Sequence, residues 1–424
     1  MTRLLGRIDI TALGALILLA LAAPSAAYAQ AQPKALGEAA PIVEVLVMTR
    51  GPEIFARFGH TSLLVTPVRG RALIYNFGFT VFDSGLAWRF LRGRARFWVE
   101  LSTIPRTKAY YLPEGRAIYR YRLRLSDAQA RTVDRLLRQN RLPKNRYYFY
   151  DHLTDNCASR VRDVVNSALG DRIRKRFGKL PAGKTYRQLT REGFADSPAV
   201  LFGIELVIGR LTDRPISRWE LGYLPDELVH LLRAARADDG GPLLAPRITM
   251  IPRRVPRPGV GKSPLVGVYL VVALAALLAL AASGALLLRR RERRLSGLLL
   301  LLPTLVFGLV ALLIWSIVAV ASGMPALRYN ELALIFWPTD WLLLGSAIRW
   351  MRGRFAFGRL MRTYILVRCI ALALVLVGHA TTLLYQQPRA WLLVGLAVWV
   401  PLFLARRDAL DVERPEPARK EDSA

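Results

Sequence analysis

Two hydropathy regimes divide the chain. From Pro264 to Leu288, 25 residues carry no charge, and the run is closed by Arg289-Arg290-Arg291-Glu292-Arg293-Arg294. That is the pattern of a membrane-crossing helix with a basic stop. Further spans are expected at Leu295 to Ala321, Asn330 to Ile348, Tyr364 to Tyr385 and Ala390 to Ala405, the second of these four interrupted by Pro338 and Asp340. Arg-rich and Arg-poor connections alternate between them. Arg289 to Arg294, Arg349 to Arg362 and the tail from Arg406 read as cytoplasmic, whereas Ser322 to Tyr329 and Gln386 to Arg389 read as external. Counting back through these crossings puts Gln30 to Lys262 outside the cytoplasm.

That exported stretch follows other periods. Val43 to Met48, Phe58 to Val65 and Ala72 to Phe77 read as strands, the last two joined through a turn at Pro67 to Gly70. Ile118 to Leu125 reads as a further strand, and Ser126-Asp127-Ala128-Gln129 is a capping box opening a helix to about Asn140. A second helix is expected from Asp155 or Asn156, with Val161, Val164, Val165, Ala168 and Leu169 on one face and a stop at Gly170. A basic linker from Gly170 to Gly183 leads to helices near Tyr186 to Gly193 and Pro198 to Gly209. The N-terminus has Arg3, Arg7, an apolar run from Ile10 to Ala23 and Ala27-Tyr28-Ala29, which reads as a signal peptide over 1–29, with an uncleaved anchor as the alternative. The expected organisation is an α+β exported domain over 30–245, a basic Pro-rich linker over 246–263, about five spans over 264–405, and a cytoplasmic tail over 406–424.

Charge refines this picture. Between Gln30 and Lys262, 41 Lys and Arg face 21 Asp and Glu, so this stretch carries +20 of the formal +30. An exported basic surface tethered beside a bilayer meets phospholipid head groups rather than nucleic acid, at about 1 kcal/mol per basic residue. Arg-rich composition without a partner is the plainer explanation.

With only Cys157 and Cys369 present, a disulfide framework is excluded as the organising principle. Cys157 falls in the first turn of the expected helix. There the helix dipole and free backbone N–H groups lower a thiol pKa and offer a donor for an oxyanion. Four histidines compete to be its base. His379 lies in an apolar span, His230 sits late in an apolar helix as a structural residue, and His152 is close in sequence but on the approach loop. His60 opens a strand behind Gly59, which admits a close backbone approach, and is the preferred partner. Asn76, on the strand pairing with that of His60, is the candidate third member, with Asp83 or a backbone carbonyl as substitutes. Asn156, Tyr75 and Ser62 are candidate oxyanion or supporting residues. A helix-borne Cys facing a strand-borne His, in the order His then Cys, implies a circularly permuted papain-like (NlpC-like) core.

Phe58-Gly59-His60-x-Ser62-Leu63, Tyr75-Asn76-Phe77-Gly78, Asp155-Asn156-Cys157-Ala158, and Phe202-Gly203-Ile204-Glu205 through Asp213-Arg214-Pro215-Ile216-Ser217 to Leu224-Pro225 together resemble the periplasmic domain of the Lnb-type lipoprotein N-acyltransferase family. The resemblance covers roughly Ile42 to Leu232. It implies a protein of the bacterial inner membrane in which Cys157 takes an acyl chain from a membrane phospholipid as a thioester and passes it to the N-terminal amine of a bacterial lipoprotein, with His60 as base and then acid. Two other readings stand beside it: an exported papain-like cysteine hydrolase or amidase acting on cell-wall peptides, and an inactive membrane-anchored binding module. No His, Cys or carboxylate spacing suggests a metal, no glycine motif suggests a nucleotide, and no cofactor is expected.

Overall fold

The computed structural model describes residues 39–406, apart from 257, 259–261, 290, 322, 355–356 and 388. The expected signal peptide and the tail beyond Arg406 lie outside the described residues.

The expected strands of the exported region assemble into one antiparallel sheet. It contains β1 (Ile42–Met48), β2 (His60–Thr66), β3 (Leu73–Phe79), β4 (Arg96–Ser102), β5 (Ile118–Arg122) and β6 (Tyr147–Phe149). A two-stranded ribbon, β7 (Pro181–Thr185) with β8 (Pro215–Ser217), stands apart, and β9 (Ile248–Ile251) completes the main sheet in the order β6-β4-β3-β2-β1-β5-β9. The expected tether from Pro246 therefore begins as an edge strand, pairing with β5. Sequence reading missed it because only four residues pair, too few for a periodicity to register.

Helices cover the sheet. They are α1 (Leu86–Leu91), α2 (Ile104–Tyr111), α3 (Asp127–Arg141), α4 (Cys157–Ala168), α5 (Arg172–Phe177), α6 (Tyr186–Gly193), α7 (Pro198–Val207), α8 (Arg218–Leu221) and α9 (Pro225–Ala234). β1 is buried along all but its first residue, as a central strand covered on both faces requires. The Ser126–Gln129 capping box opens α3 as expected. The expected basic linker from Gly170 instead folds, into α5 and the start of β7.

The C-terminal region is helical, with α10 (Val266–Leu288), α11 (Arg293–Val320), α12 (Leu342–Met351), α13 (Arg359–Ala380) and α14 (Ala390–Ala405). Three of these helices, α10, α11 and α13, are long and apolar enough to cross a membrane, and a fourth crossing exists if a pair of segments bent by 46° counts as one span. This revises the expected five. The span expected at Asn330 to Ile348 is not one helix: it descends through short 3-10 turns at Glu331–Leu334 and Pro338–Trp341 before α12 begins. Pro338 cannot donate a helical hydrogen bond, and Asp340 turns its carboxylate back onto the Trp337 N–H at 2.9 Å. α14 spans 16 residues, about 24 Å at 1.5 Å per residue, short of a 30 Å hydrocarbon core.

Polar contacts join the two halves. The final carbonyls of a helix have no partners within it, and at the end of α7 they are met from the helical region. Asn330 donates to the Leu206 carbonyl at 2.7 Å and Gln386 to that of Ile208 at 3.3 Å. Beneath α7, Arg187 binds Glu205 at 2.9 Å, both buried, and Asp213 at 2.8 Å. Gly267 lets α10 press against α7, where a Cβ would lie 3.1 Å from Leu201.

Candidate active site

The site forms where the start of α4 meets the beginning of β2 and the end of β3. Asn156 makes the helix start there. Its Oδ1 accepts from the Ala158 and Ser159 N–H groups at 2.9 Å each, and its Nδ2 donates to the carbonyls of His152 at 2.7 Å and Tyr223 at 3.0 Å. Such a cap stabilises a helix by about 1 kcal/mol. It leaves the Cys157 N–H as the first-turn amide that the cap does not use. Because both Asn156 amide hydrogens are committed, the expected oxyanion role does not hold for this side chain; its geometry makes it a positioning residue for Cys157.

Gly59 sets the approach of His60. Its φ is +85°, and a Cβ there would lie 2.7 Å from the Met48 carbonyl oxygen. The chain enters β2 in a conformation that only glycine adopts at little cost. Gly78 plays the matching part on β3, with φ +88° beside the Cβ of Cys157.

Asn76 and the candidate pair are brought together. The register of β2 and β3 sets Ser62 opposite Asn76, and the His60 Nε2 lies 3.4 Å from the Asn76 Oδ1. Burial opposes ionisation of the Cys157 thiol, but the charge and hydrogen bond of His60, with the backbone and hydroxyl of Thr61, outweigh it, so the thiol pKa lies below its ordinary value. Thr61 was not a sequence candidate. Its hydroxyl is buried without a full hydrogen bond among the described residues, which leaves it free to turn towards the sulfur.

Two expected supporting residues lie elsewhere. Side chains alternate along a strand, so Tyr75 points away from Asn76. Its phenol faces α3, where Asp134 acts with burial to raise its pKa. Ser62 is buried below Asn76 with its hydroxyl directed at the Met48 sulfur, 4.0 Å away. Asp83, the substitute third member, is exposed and paired with Arg89 at 2.7 Å. His230, read as a structural residue, is solvent-exposed on α9.

His152, close in sequence but expected to be misdirected on the approach loop, lines the same cavity as Cys157. Its ring packs between Phe58 at 5.2 Å and Tyr223 at 6.0 Å, and burial lowers its pKa against the raising effect of Asp151. Tyr150 lies beside the thiol and is held protonated, burial being the main cause and the Cys157 charge the next. Neither carried a motif; only the tight turn from β6 to α4 places them.

All of these open onto a cavity of about 690 Å³ whose walls include Cys157, His60, Asn76, His152, Tyr150 and Tyr223. Phe55, Phe79, Phe82 and Tyr110 line its outer part, and Arg106 and Glu53 add charge there. Among the described residues no cluster of His, Cys, Asp and Glu could hold a metal ion. Chemically, the arrangement offers a thiol of lowered pKa, an imidazole within reach and a backbone donor in a chamber with an apolar mouth.

Residues 31–192 match the family model described as the Lnb N-terminal periplasmic domain. No curated protein and no solved structure matches the chain. The matched segment contains His60, Asn76, Thr61 and Cys157, and ends in α6, ahead of the apolar helices long enough to cross a membrane among the described residues. Its description is compatible with an enzyme. The N-terminal region thus carries an Lnb N-terminal periplasmic domain, and it is followed by apolar helices long enough to cross a membrane.

Proposed function

We propose that the protein is a thiol acyltransferase of the bacterial inner membrane, a multi-pass protein in which Cys157 carries an acyl chain from a membrane phospholipid to the N-terminal amine of a lipoprotein. The observation that carries this reading is the activated Cys157 thiol, with His60 and Asn76 in file behind it, at the base of a cavity with an aromatic mouth. A permuted papain-like core, with the base on a strand that precedes the nucleophile's helix, fits the order of these elements.

In the first half-reaction the Cys157 thiolate attacks the ester carbonyl of the lipid, and the Cys157 N–H meets the oxyanion. The C–O bond breaks as the imidazolium of His60 gives its proton to the leaving lysolipid oxygen. In the second half the acceptor amine attacks the thioester, His60 takes its proton, the C–S bond breaks and the thiol is restored. Asn76 accepts from the His60 Nε2–H and orients the ring.

The test is expression of the protein in cells lacking their own lipoprotein N-acylation, with lipoprotein N-termini read by mass spectrometry. The expected result is triacylated N-termini with the native chain and none with Cys157→Ser. Diacyl N-termini in both would overturn the reading, and triacylation surviving Cys157→Ser would overturn the mechanism.

A further inference from the structure

The mouth of the cavity is apolar where a water-facing enzyme would be polar. Phe55 is 63% exposed and Phe82 68% exposed, and their rings meet edge-on at 5.2 Å across the opening. The strip continues along the loop from β3 into α1, through Val81 at 60% and Trp88 at 52% exposed. Scattered single apolar residues at a surface need no explanation, but a contiguous aromatic patch marks a contact.

What covers the patch follows from the underside of α1. Phe90 and Leu91 pack into a buried cluster with Ile317, Ala321 and Met324, at the end of α11 nearest the N-terminal domain. The backbones touch at Gly93 and Gly323, where a Cβ on either glycine would lie less than 2.5 Å from the other segment. Phe90 also meets Tyr150, ring centroids 6.2 Å apart, and Tyr150 lines the cavity beside Cys157. One short relay of rings thus joins the candidate nucleophile to the periplasmic end of a membrane-crossing helix. Trp88 stands on α1 itself, and the loop bearing Val81 and Phe82 leads into it. It cannot be far from the level at which α11 leaves the hydrocarbon.

Its charges agree. Arg92 and Arg94 are exposed at the end of α1, and the Arg92 guanidinium lies 5.7 Å from the Trp88 ring. Aromatic rings beside arginines suit the boundary where acyl chains meet anionic head groups.

We propose that the segment from Phe79 to Arg94, with Phe55, is a membrane-seated rim: its aromatic side chains rest in the outer leaflet of the bilayer, and a phospholipid acyl chain reaches Cys157 by parting the touching rings of Phe55 and Phe82. Delivery of the chain rests on the acyl-transfer reading above; seating of the rim in lipid does not. The occupant is a phospholipid rather than a protein because the patch adjoins the membrane-facing end of α11.

Two measurements on the full chain in phosphatidylethanolamine and phosphatidylglycerol liposomes test the two parts separately. Nitroxides are placed by Phe82→Cys, Trp88→Cys and Val68→Cys in a Cys157→Ser, Cys369→Ser background. Val68 is exposed on the β2–β3 turn, at the far end of β2 from His60. Labels at 82 and 88 are expected to collide with oxygen and be shielded from a water-soluble nickel chelate, with the reverse at 68. Nickel accessibility at 82 and 88 equal to that at 68 overturns the seating. Separately, Val81→Asp and Trp88→Asp are expected to slow Cys157 acylation from liposomal phospholipid at least tenfold, with alkylation of Cys157 by soluble iodoacetamide unchanged. Unchanged acylation in both variants overturns delivery across the rim. If native Cys157 acquires no acyl chain from any liposome, acyl transfer itself fails, and the nitroxide result still decides whether the rim is seated.

Discussion

Ionisable groups are buried in both halves of the molecule, to opposite ends. In the helical region Asp340 and Arg368 are fully buried, with the Arg368 Nε 2.9 Å from an Asp340 oxygen. Tyr364 donates to the same carboxylate at 2.7 Å, and Trp337 and Trp399 stack on the guanidinium at 4.3 and 4.9 Å. Every side of that pair meets protein. In the periplasmic half, Cys157 and Asn76 are buried and His60 half-buried, and one face of the file is left open to a cavity. The first arrangement spends its polar contacts holding an irregular segment against α13. The second presents its polar groups to open space, where a reactant can meet them.

This contrast can be broken most severely at His60. His60→Ala is expected to slow acylation of Cys157 by about 10²–10⁴-fold, the usual worth of a positioned acid–base group, while the thermal unfolding midpoint barely moves. Its pH signature is specific. In the native protein the thiol pKa is lowered, so iodoacetamide labelling reaches half its maximal rate below the midpoint of a free thiol. Removing His60 leaves burial, which raises the pKa, opposed by the Thr61 hydrogen bonds alone, so the labelling midpoint moves upward and the rate at neutral pH falls. An unmoved midpoint in a pH series followed by mass spectrometry would mean that His60 does not activate the thiol.

The opposite behaviour is expected of the membrane pair. Asp340→Asn strands the buried Arg368 charge and should cost about 3–5 kcal/mol of stability, read as a fall in unfolding midpoint in detergent. Asp340→Leu combined with Arg368→Met should recover most of that loss, because an apolar pair needs no desolvation. Should Asp340→Asn stop acylation in protein that remains fully folded, the two regions would share one function and the contrast would fail.

Smaller effects sharpen the periplasmic side. Gly59→Ala combines a left-handed φ with a Cβ against the Met48 carbonyl, and should cost about 1–3 kcal/mol while displacing His60, so stability and activity fall together. Asn76→Ala should reduce the acylation rate on the order of tenfold, a single orienting hydrogen bond being worth about 1 kcal/mol, with no change in unfolding. An Asn76→Ala protein as fast as the native one would remove Asn76 from the site and leave a dyad.

Legibility in the sequence tracked the range of the interaction. β1, β2 and β3, the α3 capping box and the α4 start were readable because each depends on residues within a few positions of one another. The pairing of Cys157 with His60 was readable for a different reason: with two cysteines and four histidines in the chain, elimination left few choices. Side-chain roles fared worse. Tyr75 and Ser62 looked supportive through their neighbours in sequence, yet strand alternation turned Tyr75 to the far face and packing turned Ser62 towards Met48. Asn156 was singled out, but its four hydrogen bonds, two of them to carbonyls at His152 and Tyr223, commit it to holding the helix. Thr61, His152 and Tyr150 carried no motif.

By itself the sequence determined where apolar runs end, which segments alternate and which thiol and imidazole were available, since local steric preference and hydropathy are properties of short stretches. Only the tertiary structure decided that residues 248–251 close the sheet, that Asp340 breaks a span to meet Arg368, and that Phe90 and Leu91 of α1 pack against the end of α11. Those outcomes depend on groups far apart in the chain competing to bury apolar surface and satisfy polar atoms together, and no short stretch contains both partners.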